Sequence, residues 1–253
     1  MKKILILSIV LSLFTLPSQA KTIAGNMDRT TEGEFLHLLT RTDVDVLTSI
    51  ETYLFYSRGI NPARTVDDLD NAVAHTEYDI MLLEKFSLKH PGYQQDINKI
   101  SGYWFSIRNK ITHFYQRGKA VKLYEHYKGL HDIINNIKNK AGRYQNLIGN
   151  KTKILLGKNL IQAHLLTVLY LGALMEKGNY FQTLLDAETK KMNELIHALE
   201  AAKTNDAEVE QKKNALRHLY AFVDILHNKN ADPDKVYDAI DAVHRNLIKI
   251  AGL

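Results

Sequence analysis

Apolar side chains recur at three- and four-residue spacing along nearly the whole chain, the period of an amphipathic α-helix. From residue 31 to 57 the stripe is Phe35, Leu38, Leu39, Val46, Ile50 and Leu54, and Arg58-Gly59-Ile60-Asn61-Pro62 stops it. A second helix is expected from Thr65, read as an N-cap with Asp67 and Asp68 in the first turn. It carries Leu69, Val73, Ile80, Leu83 and Phe86 and ends at His90-Pro91-Gly92. Ile97, Ile100, Trp104, Ile107 and Ile111 form the stripe of a third, with Trp104 expected in the core. A fourth begins between Lys119 and Lys122, is expected to bend at Gly129, and runs through Leu130, Ile133, Ile134 and Ile137 into Ala141-Gly142.

The second half repeats this plan. Residues 143–176 read as one long helix with Leu147, Ile154, Leu155, Ile161, Leu165, Leu169 and Leu174, closed by Lys177-Gly178-Asn179. Phe181, Leu185, Met192, Ile196 and Leu199 mark the next. Thr204-Asn205-Asp206 offers caps for another, with Leu216, Leu219, Val223 and Leu226. Asp232-Pro233 is a cap followed by a proline at the first helical position, so a last helix opens there with Val236, Ile240, Val243, Leu247 and Ile250. A shift of 116 residues pairs Leu69 with Leu185, Asp70 with Asp186, Leu83 with Leu199, Glu84 with Glu200, Asn98 with Asn214 and Trp104 with Tyr220. Ala-Gly pairs at residues 24, 141 and 251 punctuate the two copies. The expectation is an all-α protein of two tandem antiparallel four-helix bundles, residues 21–140 and 141–253. The junction is either a break or one continuous helix through Ala141-Gly142.

Composition adds a leader. Lys2 and Lys3 precede an apolar run from Ile4 to Leu16, Pro17 breaks it, and Ser18-Gln19-Ala20 has the small residues of a signal-peptidase site. Residues 1–20 are therefore expected to be a signal peptide cleaved after Ala20, giving a periplasmic or secreted protein. The chain has no cysteine, so no disulfide or cysteine-linked lipid anchor is expected. No later stretch is expected to reach the roughly 18 uncharged apolar residues of a membrane span. The formal charge is +5, unevenly spread: twelve Lys and Arg lie between Arg108 and Lys158, against only Glu125 and Asp132. Such a middle is either a solvated face or an attractor for a small anion, an anionic partner or a membrane surface. Nucleic acid is not an expected partner of an exported protein.

Ala141-Gly142-Arg143 opening a helix, then the helix from Phe181 to Glu200, then Asp206 to Phe222, together resemble the N-terminal sensing domain of type IV pilus methyl-accepting chemotaxis proteins. That family is related to the periplasmic domains of nitrate/nitrite sensor kinases. The likeness is best over Ala141 to Leu226 and fainter over Ala24 to Thr112. The family's helix opens AGRQRMLSQR, and this chain has AGRYQNLIGN. Ala141, Gly142, Arg143 and Leu147 agree, while Gln145 and Asn150 replace arginines. After Ala24-Gly25 the first copy has Asn26 and Met27, with Arg29 displaced. The resemblance implies a sensor's periplasmic architecture, with anion recognition resting on this helix.

Arg143 is accordingly the leading candidate ligand residue, because a guanidinium offers a planar fork to an oxyanion. Lys140, Gln145 and Asn150 join it as candidates, and Lys151 and Lys153 add positive potential. Acid-x-x-His pairs occur at Glu34/His37, Glu194/His197, Asp224/His227 and Asp241/His244, a spacing that di-iron bundles use. The core stripes run beside these pairs, so they read as surface pairs, and no metal or cofactor is expected. Tyr103, Trp104, Phe105, Tyr115, Tyr124, Tyr127 and Tyr144 read as core or interface aromatics. No nucleophile motif or phosphate-cradling loop is present, so an enzyme is not expected. Three functions compete: a non-enzymatic sensing or ligand-binding module working with a membrane receptor, a protein-interaction accessory of an envelope or pilus machine, and an iron-binding bundle.

Overall fold

A computed structural model describes residues 32–140, 151–228 and 231–253. Among the described residues there are eight α-helices and no strand: α1 Glu32–Ser57, α2 Pro62–Lys89, α3 Gln94–Ile111, α4 Lys119–Lys140, α5 Lys151–Met175, α6 Tyr180–Ala201, α7 Asp206–His227 and α8 Pro233–Ala251. The protein is all-α, as the three- and four-residue spacing requires. The leader, and whether a helix continues through Ala141-Gly142, lie outside the described residues.

Local chemistry sets the helix ends. The Asn205 side chain accepts a hydrogen bond from the Glu208 amide at the start of α7, and Asp232 accepts from the Asp234 amide ahead of Pro233. Thr65 is not the cap of α2. Pro62 takes the first helical position, Asn61 precedes it in the left-handed region, and the Thr65 hydroxyl bonds back to the Asn61 carbonyl within the first turn. α4 is helical through Gly129. The glycine instead lets α3 approach, since a Cβ there would sit 2.4 Å from the Tyr103 ring.

Within each half, consecutive helices pack antiparallel, and the first helix also neighbours the fourth. The halves then pack side by side, α1 against α5, over one continuous core. Residues meeting across that seam keep a near-constant sequence offset. Thr40 faces Gly157, Glu51 bonds His164, and Arg58 reaches the Leu174 carbonyl. These partners lie 113 to 117 positions apart, a near-constant offset, so α1 and α5 run parallel. Flanking contacts brace the seam on both sides: Phe55 and Arg64 on Tyr237, and Tyr124 on Phe181.

Position in this array explains the composition of the two central helices. α5 is long and apolar enough to cross a membrane, contrary to the sequence expectation, yet 89% of its most apolar window is buried within the fold. It is apolar all round because it has helices all round. α1 is buried nearly all round too, but it also encloses Asp43, Asp45, Ser49 and Glu51. Hydroxyls of Thr40, Thr42, Ser49 and Thr52 satisfy themselves on carbonyls four residues back. Trp104 is 4% exposed among Ile97, Ile100 and Ile107, as its stripe requires. Phe105, expected inside, is exposed because it lies beside that stripe.

Candidate functional site

A cavity of about 220 Å³ opens where α1, α4, α5 and α6 converge on the seam. Thr40 lines it from α1, His131, Asn135 and Lys138 from α4, Lys158, Ile161 and Gln162 from α5, and Leu195 from α6. The α4 residues stand three and four positions apart and so share one face of the helix.

Asp43 lies behind the cavity wall, bonded to His131. It is fully buried and accepts hydrogen bonds from Tyr127 Oη at 3.0 Å and His131 Nδ1 at 2.8 Å. Burial alone raises a carboxyl pKa, but the His131 charge and hydrogen bond outweigh it and hold Asp43 below its usual range. His131 loses solvation too, and Asp43 still raises it above its ordinary value. The two form an ion pair. The Asn135 amide meets His131 Nε2 at 2.8 Å, presenting nitrogen to a neutral ring or, turned over, oxygen to a charged one.

Lys138 and Lys158 supply the positive potential. Loss of water pushes the Lys138 ammonium down to about 8, with Asp43 opposing the shift and Lys158 adding to it. An ammonium so destabilised gains from any anion placed beside it. The Gln162 amide is held by the Glu188 carbonyl at 3.0 Å and the Glu188 carboxylate at 2.9 Å. The cavity therefore places two lysines beside a His131 ring whose nitrogens are engaged by Asp43 and Asn135, and among the described residues no hydroxyl or thiol is hydrogen-bonded to His131 Nε2. The two lysines give the recess a positive potential.

A second buried polar cluster lies farther along the seam. His164 Nδ1 meets Glu51 Oε2 at 2.9 Å, and His164 Nε2 meets His244 Nδ1 at 2.9 Å. Here burial dominates. Glu51 is pushed well above its usual range, while His164 and His244 are both pushed down to about 3. The contact is a neutral hydrogen bond, with the protonated Glu51 carboxyl donating to His164. His244 is thus no surface partner of Asp241, as its spacing suggested. It turns to His164, and Asp241 turns to Arg64 and Arg245. A third cluster joins Asp45 to Asp79, which Arg41 grips through Nε and Nη2. Burial and Asp79 push Asp45 up to about 8. Among the described residues no three His, Asp or Glu side chains are grouped as metal ligands require.

Of the residues expected at a ligand site, Lys140 is exposed, bonds Asp96 at 2.9 Å and does not line the cavity. Arg143, Gln145 and Asn150 lie outside the described residues. Lys138 and Lys158, on the two helices flanking that segment, belong to the basic stretch already visible in the sequence. His131 and Gln162 were legible only as polar residues beside an apolar stripe. Searches against protein-family models, curated proteins and solved structures return no match to this chain.

Proposed function

We propose that this chain is an exported, non-enzymatic helical module of the sensing or ligand-binding type, and that it takes a small oxyanion in the cavity between its halves. The observation that carries the proposal is the convergence of Lys138 and Lys158, beside the Asp43-paired His131, on one recess at the α1–α5 seam. Binding there touches both halves at once, so ligand occupancy bears on how the halves pack, which is what a sensing module needs. The resemblance to chemoreceptor and nitrate-sensor domains supports the same class of ligand.

Calorimetric titration with phosphate, sulfate and nitrate tests this. The wild-type protein is expected to bind at least one of them, and Lys138→Met to bind it roughly tenfold to a hundredfold more weakly, the worth of a hydrogen bond to a charged group. Arg143→Ala, run in parallel, tests the role the resemblance implies. Absence of binding to all three anions, or equal binding by Lys138→Met, would overturn the proposal.

A further inference from the structure

A different basic surface stands at one end of the molecule. The loop joining α3 to α4 places Phe114 in solvent, 92% exposed. The exposure does not come from slack. Tyr53 Oη donates to the His113 carbonyl at 2.9 Å, and Lys119 Nζ donates to the carbonyls of Lys110 at 3.1 Å, His113 at 2.9 Å and Phe114 at 2.5 Å. From the other half, the Glu176 carboxylate accepts the Gly118 amide at 2.8 and 2.9 Å and the Tyr115 hydroxyl. The backbone is fastened on both sides of Phe114 and the phenyl ring is left outside.

The surroundings are cationic. From Ile97 to Tyr124 there is no Asp or Glu, but there are Lys99, Arg108, Lys110, Arg117, Lys119 and Lys122. Four of these, Lys110, Arg117, Lys119 and Lys122, line a recess of about 320 Å³ at the loop. The same end of the bundle exposes Tyr56, Leu174 and Tyr180.

We propose that this end docks on an anionic lipid bilayer, with Phe114 entering the interface and Lys110, Arg117 and Lys122 meeting phosphate headgroups. A bilayer supplies apolar depth and negative charge side by side, which suits an exposed aromatic on a fastened loop whose neighbouring recess is lined by lysine and arginine. An acidic protein would satisfy the lysines but would need an apolar pocket matched to one isolated ring. The surface lies at the start of α4, whereas the seam cavity is lined by His131, Asn135 and Lys138 farther along that helix, so the two proposals stand or fall separately.

Sedimentation of the protein with vesicles decides it. The protein is expected to bind vesicles of equimolar phosphatidylcholine and phosphatidylglycerol and to leave pure phosphatidylcholine vesicles unbound. Phe114→Ser should weaken partition by about tenfold or more. Replacing Lys110, Arg117 and Lys122 together by Gln should weaken it by about a hundredfold. Phe105→Ser removes another exposed ring, on the flank of α3, and should leave partition unchanged. Because Phe114 packs against nothing, its variant should melt like wild type. Failure to bind the anionic vesicles overturns the proposal. So does undiminished binding by Phe114→Ser or by the triple variant, or an equal loss with Phe105→Ser.

Discussion

Helix α1 carries two buried carboxylate–histidine pairs, Asp43–His131 and Glu51–His164, in opposite charge states. Their bond lengths hardly differ, 2.8 and 2.9 Å. What differs is water. The His131 side chain keeps 29% of its surface exposed at the cavity mouth, while His164 keeps 1%. With solvent on one face, and the Tyr127 hydroxyl also donating to Asp43, the first pair keeps its charges. With none, the second gives up both, since desolvating two ions costs more than their attraction returns. The geometry of a carboxylate–imidazole contact thus does not fix its charge state. Of the two histidines only His131 lines the seam cavity.

Replacing each carboxyl by its amide breaks the comparison most sharply. Asp43→Asn removes a charge that compensates His131 and should cost about 3 kcal/mol in urea unfolding, the low end for a broken buried pair because His131 is partly wet. An equal or smaller loss than at Glu51 would mean that the Asp43 pair is not charged.

Histidine substitution turns the same contrast into a difference of sign with pH. His164 is depressed from 6.5 to about 3, so its neutral form stabilises the fold above pH 6.5 and that contribution is lost as pH falls. Measured against His164→Gln, the wild-type protein should lose about 2 kcal/mol between pH 7 and pH 5. His131 is raised, so its contribution is fully present below its unfolded value and is lost as pH rises through the folded one. Against His131→Gln the wild-type protein should therefore gain stability over the same interval. Two differences of the same sign would refute the assignment.

The smallest effect is expected at Glu51→Gln. An amide replaces an already neutral carboxyl and can still donate to His164 Nδ1, so the cost should stay below about 1 kcal/mol.

Much of the fold could be read from the chain because each helix carries its own period and stops. The Trp104 stripe, the Asn205 and Asp232 caps and the breaker at Gly178 all act locally, and local rules found them. Period alone does not say which helix faces which. The stripe reading left α1 with a broad wet face, and in the array only a narrow strip through Glu34 and Arg41 reaches solvent, so Asp43, Asp45 and Glu51 went unnoticed as buried groups. Its run of threonine and serine hydroxyls, able to satisfy themselves within the helix, was the available sign. The seam cavity draws on four helices from residue 40 to residue 195, and no local pattern assembles those. The basic stretch from Arg108 to Lys158 did contain its two lysines, together with most of the cationic end near Phe114.

Nitrogen-detected NMR of the histidine side chains, at about pH 6.5 where an ordinary imidazole is half titrated, tests the central claim most directly. His131 is expected to be charged and His164 neutral. Adding phosphate, sulfate and nitrate in turn should, for at least one, move the His131 resonances and raise its pKa while leaving His164 where it was. A neutral His131, or one that responds to none of the three anions, would contradict an anion site at the seam.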